Sequence, residues 1–532
     1  MKNGSGQDVN TTEQLARNKL FLPLEPLYES KIFVPAFAVI YFAVLLFFGL
    51  TFHKVGDFGA ETDFYWGYAP QARDFLQGKI TIDPFHGPLY PWILGLFSKI
   101  FGDLFKTGIV ISALSASLSL FLIFGILKSV FSSDVAFVST ILVAINKSFV
   151  QYSYTAGTDM FFVAVSLAGL YLLFRKPAIT VLELCLSAAC MSLAYLVRYN
   201  GFIFLLIIPL VILLRSIRVK GLTKYSAVVI WVMVFIAFAA PWSIYLKLNR
   251  GSFFYSRNYQ NIAYEVFSEG KVTWDQFWSK SADQYTSYLD IILRNPFLFL
   301  MILSRNVFTH LANDVSRLND ISIGILSIAG GLFLAFYHPG RRKIGLMLVF
   351  TSFFVILLLV FYSERFALFL IPMYAVATTF FLKVFLAKFG HEKNVPLLLN
   401  FVVMMLLFIP CADSYSFNSR NISSGPNKML FIKNWFQKQY HGQYDNAKIL
   451  ARKPHIAYLL GMQFHPFPVI DNYDSLLAVL RKDSVKFLYF SSLEAGLRPQ
   501  FSNLLRFDVT HPGLKPLYIT GPPPAVLYEV MK

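Results

Sequence analysis

The sequence predicts an all-α polytopic membrane domain of about eleven transmembrane helices, followed by a small α/β domain outside the cytoplasm. Three observations predict it. Only 14% of the 532 residues are charged and 56% are hydrophobic, whereas a soluble domain carries about 25% charged residues. Eleven apolar runs approach or reach the roughly 20 residues that a helix needs to cross a bilayer. Basic residues gather at alternate ends of those runs, the pattern of short cytoplasmic loops.

The runs lie near 32–52, 104–127, 135–150, 158–174, 178–196, 201–214, 225–246, 320–337, 344–362, 366–386 and 395–411. The first follows a polar stretch and is long enough to span, which predicts a retained signal anchor and no cleavable signal peptide. The 201–214 run is short and is expected to continue helically through polar residues shielded by protein.

Lys2, Arg17, Lys19 and Lys31 place the tail 1–31 in the cytoplasm. The even-numbered runs then end at Lys128, at Arg175 and Lys176, at Arg215 to Lys224, at Arg341 to Lys343 and at Lys383 to Lys393. The short outer loops hold only Arg198 and Arg365. The net charge of +17 is thus a topology signal and a source of headgroup contacts, which argues against nucleic-acid binding. Cys185, Cys190 and Cys411 sit in or beside apolar runs and read as small hydrophobes, too few for a disulfide framework.

Two outer segments of the membrane domain 32–411 are longer than topology requires, 53–103 and 247–319. Both mix aromatics with polar groups and are expected to form helices lying in the interface. Residues 412–532 lie outside and read as strands at His455–Gly461, Lys486–Ser491 and Ala525–Val530, with a helix over Asp474–Asp483 capped by Asp474.

Chemistry concentrates in the first outer segment. Glu61-Thr-Asp63-Phe-Tyr65-Trp66 is followed by Tyr68, Arg73 and Phe85-His86-Gly87-Pro88-Leu-Tyr90-Pro91. A carboxylate among aromatics has its anion destabilised and its basicity raised, which suits a general base for a hydroxyl. The bland alternative is that Asp63 caps a helix. Asp159, in Ala-Gly-Thr-Asp-Met, is a second acid and equally a helix N-cap. The two carboxylates could meet on one substrate or share a divalent metal ion. No cofactor is otherwise indicated. Arg198 and Arg365 break the charge asymmetry at the outer edges of spans, where an isolated charge is costly and finds a partner. That partner is an acid such as Glu364 or Asp159, or a phosphate at headgroup depth gripped by the planar fork.

Together these residues resemble the GT-C glycosyltransferases that use polyprenyl-phosphate sugars, the superfamily of protein O-mannosyltransferases and lipid A aminoarabinose transferases. Glu61-Thr-Asp63 is similar to the acidic motif of that family's first outer loop, and His86-Gly87-Pro88-Leu-Tyr90-Pro91 to its His-Pro-Pro-Leu-Tyr motif. Asp159, Leu196-Val-Arg198-Tyr-Asn200-Gly201, Pro241-Trp242 with Asn249-Arg-Gly-Ser252, and Glu364-Arg365 with Leu370-Ile-Pro372 follow in the family's order over about 32–386. Gly87 departs from it, standing where the family has proline. Ala451-Arg-Lys-Pro-His455 resembles the outer domains of bacterial members.

The resemblance implies a bacterial inner-membrane enzyme. It would move a sugar from a polyprenyl-phosphate donor to an acceptor hydroxyl on lipid, glycan or protein, with inversion. It implies Asp63 as base, with Glu61 and Asp159 as further acids. Arg365, Arg198, His86, Tyr65, Arg73, Glu364, Asn200 and Tyr90 would contact substrate. A flippase of lipid-linked sugars or a polysaccharide ligase is the alternative. A flippase would show internal repeats and ionisable groups at mid-depth, and a ligase a long loop late in the chain.

Overall fold

The computed structural model describes residues 25–53, 61–337, 340–389, 395–423, 427–444 and 446–531. The chain is mostly helical and ends in a small sheet. The expected spans fall on helical residues, 135–150 across two helices with a break between them, but not every such helix is long. Among the described residues four are long and apolar enough to cross a membrane, Phe33–Thr51, Leu104–Val130, Lys224–Arg250 and Glu364–Phe385. Two bent pairs raise the number to six: Ser133–Ala144 with Lys147–Tyr154, at 61°, and Tyr288–Arg294 with Pro296–Leu318, at 103°. Asp159–Phe174, Val181–Val197, Tyr199–Leu213 and Ile321–Phe336 are apolar but shorter.

Burial separates central from peripheral helices. The apolar window of Leu104–Val130 is 72% buried, whereas those of Phe33–Thr51 and Lys224–Arg250 are 22% buried. The latter two present Val39, Ile40, Phe47, Val229, Met233 and Phe238 outward, as lipid-facing helices do. Leu104–Val130 is lined with Gly108, Ala113, Ala116, Ser115 and Ser119, small residues that let neighbouring helices approach closely.

The helix ends sort into two groups. Lys383 pairs with Asp134 at 2.8 Å, both nearly fully buried. Arg342 donates to the carbonyls of Ser129, Phe174 and Lys176. The two-residue strands β1 (Ala178–Ile179) and β2 (Arg218–Val219) pair in parallel. All of these residues lie at ends assigned to one side, and the opposite ends carry the acidic and arginine motifs.

Val395–Ser423 runs past the expected end of the last span at 411. Its polar continuation finds protein partners: Asp413 accepts from Lys147 at 3.1 Å and Asn418 Oδ1 accepts from the Tyr154 hydroxyl at 2.8 Å. Lys147, the first residue after the break between Ala144 and Lys147, is a part-buried cation that apolar-run counting passes over.

The C-terminal domain holds a five-stranded sheet of β3 (Lys448–Ala451), β4 (Gln463–Pro466), β5 (Phe487–Ser491), β6 (Leu514–Ile519) and β7 (Ala525–Val530). The order is β4-β3-β5-β7-β6, with β3 parallel to β4 and β5, and β7 antiparallel to β5 and β6. Helices cover both faces. Ile449, Phe487 and Leu527 pack on Ile432, Phe436 and Ile456. Leu450, Leu488 and Tyr528 pack on Leu476, Leu480 and Phe501. Strands buried on both faces read as continuous apolar runs, which is why β5 and β7 were legible.

Two expectations for this domain fail. His455–Leu460 is a helix, not a strand, and is ended by Gly461 in the left-handed region at φ 70°. Leu459, Leu460 and Ala457 favour helix, and a short apolar run carries no period to decide between the two. The helix Tyr473–Lys482 is capped by Asn472, whose Oδ1 accepts from Ser475 N at 2.8 Å, and not by Asp474.

Candidate active site

Four charged side chains from four separate segments meet at one end of the helices. Asp63 begins the turn Phe64–Tyr68, Asp159 opens the helix Asp159–Phe174, Arg198 ends Val181–Val197, and Arg365 lies in the turn Glu364–Ala367. Arg365 is the hub. Its Nη1 lies 2.7 Å from Asp63 Oδ2, its Nη2 3.3 Å from Asp159 Oδ2 and its Nε 3.4 Å from Asp159 Oδ1. Arg198 pairs with Asp159 as well. The faces of both guanidiniums lie near the Phe366 ring, at 5.1 Å for Arg198 and 5.8 Å for Arg365. Two cations and two anions cancel, so burial of the cluster leaves no net charge uncompensated.

Neither acid caps its helix, since no backbone amide of the first turn bonds to Asp63 or Asp159. Both carboxylates are therefore available to arginine. Nor do Glu364 and Arg365 pair with each other: Glu364 bonds Arg317 at 2.6 Å, on the far side of the turn. The expected rise in Asp63 basicity is reversed. Burial pushes its pKa up, but Arg365, then His86 and Arg198, outweigh burial and hold it at about 2.

His86 joins the cluster from the side. Its Nε2 is 3.8 Å from Asp63 Oδ2 and its Nδ1 3.2 Å from Asp83 Oδ2. Its ring packs edge-on against Tyr68 at 4.9 Å, and Tyr68 in turn against Tyr90 at 5.1 Å. The Tyr68 hydroxyl bonds Thr158 Oγ1 at 3.2 Å, which ties this wall to the Asp159 helix. Among the described residues, the Tyr90 hydroxyl and Asn200 Oδ1 are buried without a hydrogen-bond partner. Asp83, bonded to His86, is a site residue that the sequence pattern does not single out. The signal available was Asp-Pro three residues before a histidine, a common turn opening.

Gly87 now has a reason. A Cβ built on it would lie 1.9 Å from Leu196 O and 2.5 Å from Leu196 C. The His86 turn is pressed against the backbone that leads into Arg198, and proline would clash there as alanine would.

The remaining candidates face elsewhere. Glu61 is fully buried, bonded to His53 Nε2 at 3.0 Å and accepting from the amide of Ala156. Tyr65 packs on His455 at 4.4 Å and Tyr458 at 4.9 Å, and Arg73 lies over the Tyr458 ring at 4.9 Å. These two residues hold the C-terminal domain against the first outer segment. Lys453 Nζ donates to Thr62 Oγ1 at 3.1 Å, next to Asp63. Asp275, from the second outer segment, receives both Arg452 and Arg498, the latter at 2.8 Å.

A divalent cation shared by Asp63 and Asp159 does not fit this arrangement. The Arg365 guanidinium lies on both carboxylates, and among the described residues no three His, Cys, Asp or Glu side chains are placed to hold a metal ion.

Residues 85–245 match the family described as dolichyl-phosphate-mannose-protein mannosyltransferase. No curated protein matches the chain in sequence. Among solved structures, ArnT from Cupriavidus metallidurans bound to undecaprenyl phosphate superposes with a TM-score of 0.59 at 13% identity, over 94% of this chain and 98% of that one. The chain has the GT-C fold. The Archaeoglobus fulgidus oligosaccharyltransferase, in a complex with Zn and sulfate, gives 0.57 at 14% identity, over 85% of this chain and 68% of that one. The arabinofuranosyltransferase AftD from Mycobacteria gives 0.53 at 10% identity, over 93% and 40%. With four to six helices or bent pairs long and apolar enough to cross a membrane among its described residues, the chain is a multi-pass integral membrane protein. The family match covers His86, Asp159, Arg198 and Asn200 and stops short of Asp63 and Arg365.

Proposed function

We propose that the chain transfers a sugar from a polyprenyl-phosphate donor to an acceptor hydroxyl at the outer face of the bacterial inner membrane. One observation carries this reading: Arg198 and Arg365 meet Asp63 and Asp159 at a single point from four separate segments. Fold likeness to proteins solved with undecaprenyl phosphate and with dolichol-phosphate supports the donor class. In this reading the chain crosses the membrane eleven times, with the tail 1–31 inside and the domain 412–532 outside.

In this reading the donor's prenyl chain lies in the bilayer and its phosphate takes the two arginines, whose fork binds phosphate bidentately. Phosphate competes with Asp63 for Arg365. As it engages, Asp63 loses the partner that depresses its basicity and turns to the acceptor hydroxyl. Attack at the anomeric carbon with inversion expels the lipid phosphate, and the arginines stabilise the charge that develops on it.

The test is a donor series in reconstituted protein. Arg365→Lys keeps the charge but serves one of the three contacts that the guanidinium makes. It should raise the donor requirement and leave acceptor dependence nearly unchanged. Unaltered donor dependence would move the phosphate site elsewhere.

A further inference from the structure

Asp83 is fixed more firmly than a turn requires. Its Oδ1 accepts from the amides of Phe85 at 2.6 Å and His86 at 3.0 Å. Its Oδ2 accepts from Gln71 Nε2 at 3.0 Å and meets His86 Nδ1 at 3.2 Å. The turn itself is pinned from outside. Asn258 Nδ2 donates to Phe85 O at 3.0 Å, the Arg257 amide to Pro84 O at 2.8 Å, and Ser256 Oγ to the same carbonyl at 3.2 Å. Gly87 closes the remaining side against Leu196.

A carboxylate on Nδ1 places that nitrogen's proton between the two groups and leaves the Nε2 lone pair free. Nε2 faces Asp63 Oδ2 at 3.8 Å, a gap that a small side-chain rotation closes. This is the arrangement in which an aspartate orients a histidine to take a proton.

We propose that Asp83 and His86 form a proton-accepting dyad for the transfer step, with His86 Nε2 receiving, by way of Asp63, the proton that the acceptor hydroxyl loses. The proposal rests on the transfer reading above. The step balances. The acceptor O–H bond breaks and its electron pair forms the bond to the anomeric carbon. The bond from that carbon to the phosphate oxygen breaks, and its pair stays on phosphate. The proton passes to Asp63 and on to His86, which becomes an imidazolium beside Asp83, while Asp63 returns to carboxylate. Solvent recovers the proton, since the His86 side chain is 23% exposed. Asp63 alone is a poor end point, because a proton acceptor works best with a pKa near the operating pH.

The groups around His86 are Asp83 on its own turn, Asp63 and Tyr68 from the first helical turn, and Arg365 from the opposite segment. The second outer segment contributes Ser256, Asn258 and the Arg257 amide, and the Arg257 guanidinium turns to Asp283. Burial lowers the His86 pKa, but Asp83 and then Asp63 outweigh it and lift the group above 6.5. Below that pKa His86 already carries its proton and accepts no other, so transfer should fall as pH drops through it.

Two measurements on the full-length protein test this. In the first, ring-labelled histidine is titrated by nitrogen NMR, with His86→Gln assigning the signal, in wild type and in Asp83→Asn. His86 should titrate above 6.5 with the proton on Nδ1, and about one unit or more lower in the variant. In the second, transfer is followed against pH with a polyprenyl-phosphate sugar. The acid limb should coincide with the His86 titration and shift with it in Asp83→Asn. The variant's kcat should fall tenfold or more and its donor KM should hold. A His86 titration that ignores Asp83 overturns the dyad whatever the activity. Transfer whose acid limb lies below about pH 5 keeps the enzyme and overturns the relay. A raised, Asp83-dependent titration with no transfer at any pH overturns the functional reading and the relay with it.

Discussion

Replacing Asp63 by asparagine should stop transfer and at the same time tighten the lipid phosphate. The side chain keeps its size and loses its charge. In the resting site the phosphate must displace Asp63 from Arg365 Nη1, where the two lie 2.7 Å apart. A hydrogen bond to a charged group contributes about 1.5–3 kcal/mol. At about 1.4 kcal/mol per tenfold, removing that competitor should strengthen polyprenyl phosphate binding by roughly 10- to 150-fold. Asp159 and Arg198 stay in place, so Arg365 keeps its second anchor. Stability should fall by up to the same roughly 1.5–3 kcal/mol, less what water recovers at the 31% exposed Asp63 side chain. The assay is equilibrium binding of polyprenyl phosphate to the purified protein, with transfer measured in parallel. Unchanged or weaker binding by Asp63→Asn would show that phosphate does not take Arg365. Retained transfer would show that Asp63 is not the group that first meets the hydroxyl.

Gly87→Ala should destabilise the protein by about 3 kcal/mol or more, because the new methyl would sit 1.9 Å from a backbone oxygen that cannot yield. Thermal unfolding in detergent reads this, and an unchanged midpoint would mean that the turn does not approach Leu196. Asp275→Ala strands Arg452 and Arg498, whose side chains are 25% and 8% exposed. Breaking the buried Arg498 pair costs about 3 kcal/mol or more, with the part-exposed Arg452 pair adding less, so limited proteolysis should release the C-terminal domain far faster than in wild type. Equal proteolysis rates would place the holding contacts at Tyr65 and Arg73 instead.

The helices were legible because lipid and close helix packing impose long apolar runs, and these survive as composition. Which of them span was less legible. Lys147, Asp413 and Asn418 satisfy one another inside the protein, so a rule based on apolar length ends those helices early. The acidic motif shows the same limit at the site. Glu61 and Asp63 are two residues apart at the start of one helical stretch, and such positions point to different sides. One carboxylate goes to His53 and the other to Arg365. Residue type singled out both, but only the backbone direction separates them. The sign of the Asp63 shift was lost for a similar reason: its aromatic neighbours are adjacent in sequence, whereas Arg365 arrives from 302 positions away. The edge strands β4 and β6 escaped because Pro466 and Pro516 interrupt their patterns, as edge positions tolerate, and β3 because its four residues are too short to show a period.

The measurement that bears most directly on the central claim is turnover of the donor itself. Wild-type protein in liposomes, given polyprenyl-phosphate hexoses and pentoses and a membrane extract as acceptor, should release polyprenyl phosphate from at least one of them and pass its sugar to the extract. Asp63→Asn and Arg365→Ala should release none. Release that is equal in wild type and both variants, or absent in wild type across the whole panel while polyprenyl phosphate still binds, would contradict the assignment of this site to sugar transfer.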